Sequence, residues 1–261
     1  MRTAVKALHY AWSTRRAWWF TATARTRERF ARTTLGSFWL GLSNLLSIGA
    51  LAMVYGVVFK VTDFNAYVVY LGTGLVVWNA MAAAIQSAPS LFRNNASNLK
   101  NTNIHPIFYS LEEWAFQAQT FFQSFGLVLL VLMLFQPSLP LHLVTVGLLP
   151  LLNILLFIYW FPLLLCLLGA HYEDFFQLVP IALQLMFLMS PILYKKEALG
   201  NLGWTAELNP LYLLLSNLRH SLVQGELQLN IALIALACNL IGVVVSAWCL
   251  QSQRRHLPFL V

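Results

Sequence analysis

Long runs without a single charge alternate with short polar breaks along this chain. The uncharged runs cover residues 36–59, 66–92, 115–136, 143–170, 175–194 and 229–251. Each reaches or exceeds the roughly 20 residues a helix needs to cross a bilayer. Backbone groups in lipid must pair within their own segment, so runs of this length read as helices. The alternating strands of about ten residues that mark a membrane barrel do not appear. The pattern predicts an all-α membrane protein with six transmembrane helices. Ahead of them, residues 5–20 place Val5, Leu8, Trp12 and Trp19 near one helical face, with Arg15 and Arg16 elsewhere. Such a helix suits the headgroup layer, as an anchor or as the border of a substrate entrance. Between the last two spans, the apolar run Leu211–Leu215 follows Asn209-Pro210 and is too short to cross. It fits a re-entrant or interfacial helix. The chain thus divides into a cytoplasmic amphipathic helix and basic arm over 1–34 and a six-span domain over 35–261.

Composition narrows the class further. Hydrophobic residues make up 59% of the 261 and charged residues 10%, against about 25% charged in soluble domains. So little charge excludes disorder. The three cysteines, Cys166, Cys238 and Cys249, each sit in an apolar run, where a thiol packs as a small hydrophobe. The net charge is +7. All of it belongs to the N-terminal arm, where Arg2, Lys6, Arg15, Arg16, Arg25, Arg27, Arg29 and Arg32 face only Glu28. A single basic arm on a charge-balanced body argues for an anionic lipid surface rather than nucleic acid. Six spans put both termini on one side, which then holds all Lys and Arg except Lys60, Lys195, Lys196 and Arg219. The positive-inside bias makes that side cytoplasmic. The first apolar run begins after more than thirty residues without a small-residue cleavage site, so it reads as an uncleaved insertion signal.

Function is bounded mainly by what the spans omit. No predicted span carries Asp, Glu, Lys, Arg or His in its interior, which leaves no relay for a proton-driven carrier. There is no G-x-x-x-x-G-K-[ST] phosphate loop, so uphill transport would draw its energy from another polypeptide. Arg25, Arg27, Arg29 and Arg32 stand directly before the first span. They set topology and touch anionic phospholipid, and their guanidinium groups suit recognition of a phosphate-bearing lipid. Aromatics reach 14%. Phe38, Trp39, Tyr55, Phe59, Tyr70 and Trp78 are candidates to line a channel for sugar rings, with an interfacial belt or helix packing as the ordinary role of any one. The 93–113 connection is Asn-rich around Lys100 and closes on His105-Pro106, as a solvated loop or a docking surface. The 170–174 connection offers His171, Glu173 and Asp174, too compact a set for a metal and well suited to a helix start.

Several blocks together resemble the ABC-2-type permeases of polysaccharide export, such as the Wzm-type subunit for O-antigen. They are RTTLGSFW (Arg32–Trp39), GLVVWN (Gly74–Asn79), the polar stretch with Lys100 and Pro106, MSPILY (Met189–Tyr194), and Asn209-Pro210 followed by Arg219. Their order and spacing cover nearly the whole chain. The resemblance implies a homodimer bound to two ABC ATPase subunits that carry the ATP and Mg, with no cofactor or metal in this chain. It implies export of an undecaprenyl-pyrophosphate-linked glycan across the bacterial inner membrane. By position, Asn98, Lys100, His105, Pro106, Glu173 and Asp174 would meet the ATPase. The N-terminal helix would act as a cytoplasmic gate, and Tyr194, Asn209, Pro210 and Arg219 would belong to an external gate. Two positions depart from the pattern: Asn44 stands where many relatives have Pro, and Glu173 where they often have Arg. Teichoic acid, capsule, another lipid or a drug are the alternative cargoes, and a membrane-embedded glycosyl or acyl transferase the alternative class.

Overall fold

The computed structural model describes residues 9–101, 104–254 and 256–260, and among these the chain is helical with no strand. Five helices are long and apolar enough to cross a membrane: Phe38–Val58, Phe64–Asn94, Ile107–Leu132, Leu139–His171 and Leu229–Gln253. A sixth apolar helix, Phe175–Met189, has 15 residues, about 22 Å at 1.5 Å per residue. In chain order we label Arg15–Phe30 α1, Phe38–Val58 α2, Phe64–Ser87 α3, Ala96–Asn101 α4, Ile107–Leu132 α5, Leu148–His171 α6, Phe175–Met189 α7, Gly203–Glu207 α8, Pro210–Gln224 α9 and Leu229–Gln253 α10. The multi-pass, all-α architecture expected from the apolar runs is present.

The N-terminal region differs from the expected helix over 5–20 followed by an arm. Val5 and Leu8 lie outside the described residues. Residues 9–13 are helical and Thr14 interrupts the run, with Thr14 Oγ1, Ser13 Oγ and the Thr14 N–H all donating to the Tyr10 carbonyl. Helix α1 then continues to Phe30, so Arg25, Arg27 and Arg29 stand on a helix. Trp12 and Trp19 are exposed. The chain turns into α2 at Gly36, whose φ of +55° is a left-handed conformation that glycine adopts without strain.

Helix α3 forms the core. It starts at Asp63, whose side chain accepts from Ala66 N–H at 3.0 Å, a standard N-cap. Leu71, Leu75, Val76, Trp78 and Met81 on it are buried against α5, α6 and α9. Its far end, through Pro89, rests on Gly169 of α6, where an added Cβ would come within 2.7 Å of Pro89 Cα. Helix α10 packs mainly on α6, joined to it through amides: Trp160 Nε1–H donates to Asn239 Oδ1 (2.8 Å), Asn239 Nδ2–H to the Asn153 carbonyl (3.0 Å), and Asn153 Nδ2–H to the Ala232 carbonyl (2.9 Å). Helices α2 and α10 leave most of their apolar surface outside.

Three boundaries differ from the apolar runs, each for a local reason. Helix α5 begins at Ile107 rather than 115, because its first two turns bury Glu113 with partners that satisfy it. Helix α7 ends at Met189 and Ser190 is extended, as expected for the residue before Pro191. The segment from α7 to Tyr194 nonetheless accompanies α3 along its length. Glu173 pairs with Arg93 at 3.1 Å at one end, and Tyr67 O–H donates to the Leu193 carbonyl at 2.7 Å at the other. Helix α9 is longer than its apolar run, capped by Asn209 and ended at Gly225 with φ +72°, and its Leu211, Leu215, Leu218 and Leu222 are fully buried. Tyr10 meets His105 with ring centroids 5.6 Å apart, and Leu99, Leu250 and Leu257 share one apolar cluster. The described N- and C-terminal regions therefore gather at the same end of the bundle.

Gly169→Ala should cost about 1–3 kcal/mol, since its methyl meets backbone. Gly126→Ala, where nothing lies within 4 Å, should be neutral or stabilising by up to about 1 kcal/mol. Thermal unfolding of the two purified variants in one detergent checks the contrast.

Candidate functional site

A groove of about 720 Å³ opens between α1, α2, α3 and α5. Polar residues line each wall, recurring at helical spacing on α5. Helix α5 contributes Glu113, Gln117, Thr120 and Ser124; α3 contributes Asn79, Gln86 and Ser87; α2 contributes Asn44; and α1 contributes Arg25, Glu28 and Arg29. Apolar floor comes from Leu40, Val76, Ala80, Phe116 and Phe121. The polar atoms are linked across helices. Asn79 Nδ2–H donates to Asn44 Oδ1 and Asn44 Nδ2–H to Ser124 Oγ, both at 2.7 Å. Asn44 also donates to the Leu40 carbonyl at 2.9 Å and sits inside an unbroken α2.

One end of the groove is charged. Arg25 Nη1–H donates to Glu113 Oε2 at 2.5 Å, with the arginine side chain 44% exposed and the glutamate 8%. Ser87 Oγ–H and Gln117 Nε2–H donate to the other carboxylate oxygen at 2.9 and 2.8 Å. The Arg25 guanidinium lies 4.2 Å from the Phe116 ring centroid. Around this pair, Ala22 is buried against Ala115 and Phe116, Trp18 meets Trp114 edge-on, and Gln119 donates to Thr23 Oγ1 at 3.1 Å. Helix α1 is thereby docked on α5. Beyond the ion pair a second cavity of about 300 Å³ is lined by Arg25, Ser87, Asn94, Asn95, Glu112 and Glu113 among others.

The sequence-derived candidates fall into separate places. Of the arginines, Arg25 and Arg29 face the groove, while Arg27 and Arg32 are exposed. None of the six candidate channel aromatics lines the groove; Phe116 and Phe121 do. Phe38 and Trp39 are exposed, Phe59 is partly exposed and stacked on Tyr55, and Trp78 is buried against Phe187. Glu113 and the amide wall were missed because the two glutamates looked like a loop. The recoverable signal was the 4-3-4 spacing of Glu113, Gln117, Thr120 and Ser124.

The candidates for coupling gather at one end. Lys100 is exposed on α4, and Asn98 is on the same helix. Pro106 opens α5. Glu173 forms its exposed pair with Arg93, and Asp174 precedes α7. His105 is buried, and its Nδ1 accepts from Ile107 N–H at 3.1 Å. Burial, and then the nearby Arg254 guanidinium, hold this imidazole below its ordinary value.

The candidates for an external gate meet around a buried cation. Arg219 on α9 donates to the Pro191 carbonyl at 3.2 Å and stacks 3.8 Å from the Tyr70 ring. Tyr70 O–H in turn reaches the carbonyls of Pro191 (2.9 Å) and Tyr194 (2.8 Å). Asn209 Nδ2–H donates to Ser190 Oγ at 2.7 Å, and Pro210 follows as the first residue of α9. Gly74 is what admits the guanidinium, because a Cβ there would collide with Arg219 Nη2.

A polytopic helical protein with a polar groove, charged at one end and bordered by the docked α1, has the form of a membrane transport subunit. The family model described as ABC-2 type transporter matches residues 19–223, and the chain belongs to that family. The O-antigen export system permease protein RfbA of Klebsiella pneumoniae is similar to it, with 25% identity over 209 residues, 77% of this chain and 78% of that protein.

Two outcomes follow from this geometry. Gly74→Ala should lower the unfolding temperature in the natural background, yet cost much less in an Arg219→Met background, a coupling measured by a double-mutant thermal cycle. For His105, the folded protein holds the neutral ring, so the unfolded chain binds the proton first as pH falls. Stability is full above the ordinary histidine value of about 6.5 and declines below it. Thermal unfolding from pH 8 to pH 5 should fall more for the natural chain than for His105→Phe.

Proposed function

We propose that this chain is the membrane-spanning subunit of an ATP-driven exporter of lipid-linked polysaccharide, O-antigen on undecaprenyl pyrophosphate being the type of cargo it suits. The observation that carries the reading is the groove wall. Gln117, Thr120, Ser124, Asn44, Asn79 and Gln86 offer amide and hydroxyl groups over an apolar floor with Phe116 and Phe121. Sugars demand this combination, with donors and acceptors for hydroxyls and apolar faces for the rings, and away from the charged end these residues carry no charge that would trap a neutral chain. The guanidinium groups of Arg25 and Arg29 at one end suit the phosphates of a lipid carrier. The O-antigen export function of the RfbA relative points the same way.

In this reading Phe175–Met189 and the extended residues after it make the sixth crossing. Support comes from the contacts of this segment with Tyr67 on α3 and with Arg93 in the helical continuation of α3, and from the termini sharing one end, which requires an even number of crossings. The arginine-rich end is then cytoplasmic, in the bacterial inner membrane. Two copies associate through the outward apolar faces of α2 and α10, and two ABC ATPases dock where Asn98, Lys100, Pro106, Glu173 and Asp174 lie. ATP binding shifts α4 and the start of α7, opening the groove toward the external segment at Tyr194, Asn209 and Arg219. Phe38, Trp39 and Tyr55 on α2 and Phe59 just after it, the first two and Phe59 exposed and Tyr55 half-buried, lie where a second copy would complete a channel.

Deleting the gene should leave lipid-linked glycan inside the cell. The natural chain should restore export, while Asn79→Leu and Thr120→Leu should restore it at least tenfold less well at equal membrane abundance. Unchanged surface glycan on deletion would remove the reading in favour of another cargo.

A further inference from the structure

Where α1 docks, α5 presents it with a buried carboxylate, Glu113, that the export reading does not use. We propose that Glu113 is a built-in competitor for the cargo's anionic headgroup: it occupies Arg25 in the empty protein, and a phosphate or pyrophosphate group that takes Arg25 from it releases α1 from α5. The idea deepens the proposed function and rests on it for the identity of the cargo.

Four observations carry it. The ion pair stands between the two cavities and lines both, so an anion in either one reaches the Arg25 guanidinium. The partners are unequal, with Arg25 half in solvent and Glu113 almost wholly buried; the arginine can therefore turn outward while the carboxylate stays. Glu113 does not depend on Arg25 alone. Ser87 Oγ–H and Gln117 Nε2–H hold its other oxygen at 2.9 and 2.8 Å, so the departing cation leaves a carboxylate that is still hydrogen-bonded. Such a group tolerates the loss far better than a bare buried charge. Finally, Arg29 lies one turn from Arg25 and lines the same groove. Among the described residues its contact is the Phe30 ring at 5.5 Å, with no carboxylate in ion-pair range. Two guanidinium groups one turn apart match a ligand with more than one anionic oxygen. Glu28 lines the same groove, so an anion there must outweigh its repulsion through the two guanidinium groups.

The exchange has a structural consequence. Arg25 is the charged contact in the seam that also contains Trp18, Ala22 and Thr23. Once Arg25 engages an outside anion, α1 keeps only neutral contacts with α5 and swings more freely. Headgroup binding and opening of the groove are then one event.

The test uses the full-length chain in nanodiscs, with inorganic pyrophosphate as one probe and discs containing a polyprenyl pyrophosphate as the other. Glu113→Gln removes the competitor while keeping acceptors for Ser87 and Gln117. It should bind the probe about fivefold more tightly than the natural chain, the factor expected from losing a partly exposed ion pair. Arg25→Gln should bind at least tenfold more weakly. In the natural chain, saturating probe should speed hydrogen exchange of α1 amides, a readout that needs no variant. Tightening seen only with the lipid assigns the anion to a membrane-delivered headgroup, and tightening with both probes to any such anion. Equal or weaker binding by Glu113→Gln in both arms, or α1 amides slowed by the probe, overturns the latch. Loss of the latch with glycan still retained on gene deletion would leave the export reading standing, and the converse would remove only that reading.

Discussion

A carboxylate buried in the second turn of a membrane-crossing helix must be satisfied by its neighbours, and the way Glu113 is satisfied organises one end of this protein. Its two oxygens draw Ser87 from α3, Gln117 from its own helix and Arg25 from α1. Helix α1, basic and only weakly apolar, has few buried residues of its own. Its position depends on this pair and on the small seam at Ala22, Trp18 and Gln119. Without α1 in place the groove would have three walls and no cationic end.

The opposite end is organised by the inverse problem. Arg219 is a buried cation with no carboxylate in ion-pair range among the described residues. It is accommodated by the Pro191 carbonyl, the Tyr70 ring and the space left by Gly74. These contacts pin the break after α7 to the start of α3, just where Pro191 prevents α7 from continuing. The chain thus carries a salt-bridged anion where α1, α3 and α5 meet and a caged cation where α3, α9 and the segment after α7 meet.

Much of the fold was legible because lipid permits little else: uncharged runs longer than about 20 residues became helices, and the basic arm marked the end where the described termini gather. The ordered motifs from Arg32 to Arg219 pointed to the family that the residue 19–223 match establishes. What was hidden depended on side chains being satisfied across helices. Glu112 and Glu113 looked like a loop until Ser87 and Arg25 were seen beside the second of them. The burial of Arg219 was hidden until Gly74 was seen to make room for it. The groove was hidden for a different reason. Its wall is built from single polar residues of four elements, each unremarkable in its own apolar context, while the abundant aromatics drew notice to α2.

The central claim is that cargo passes along the polar wall shared by α2, α3 and α5. A photo-crosslinking residue placed at Thr120, on that wall, tests it against the same residue at Trp248, which is exposed on the outer face of α10. In actively exporting cells the account predicts a glycan-bearing adduct at position 120 and none at 248. Capture at 248 with none at 120 would place the path elsewhere and contradict it.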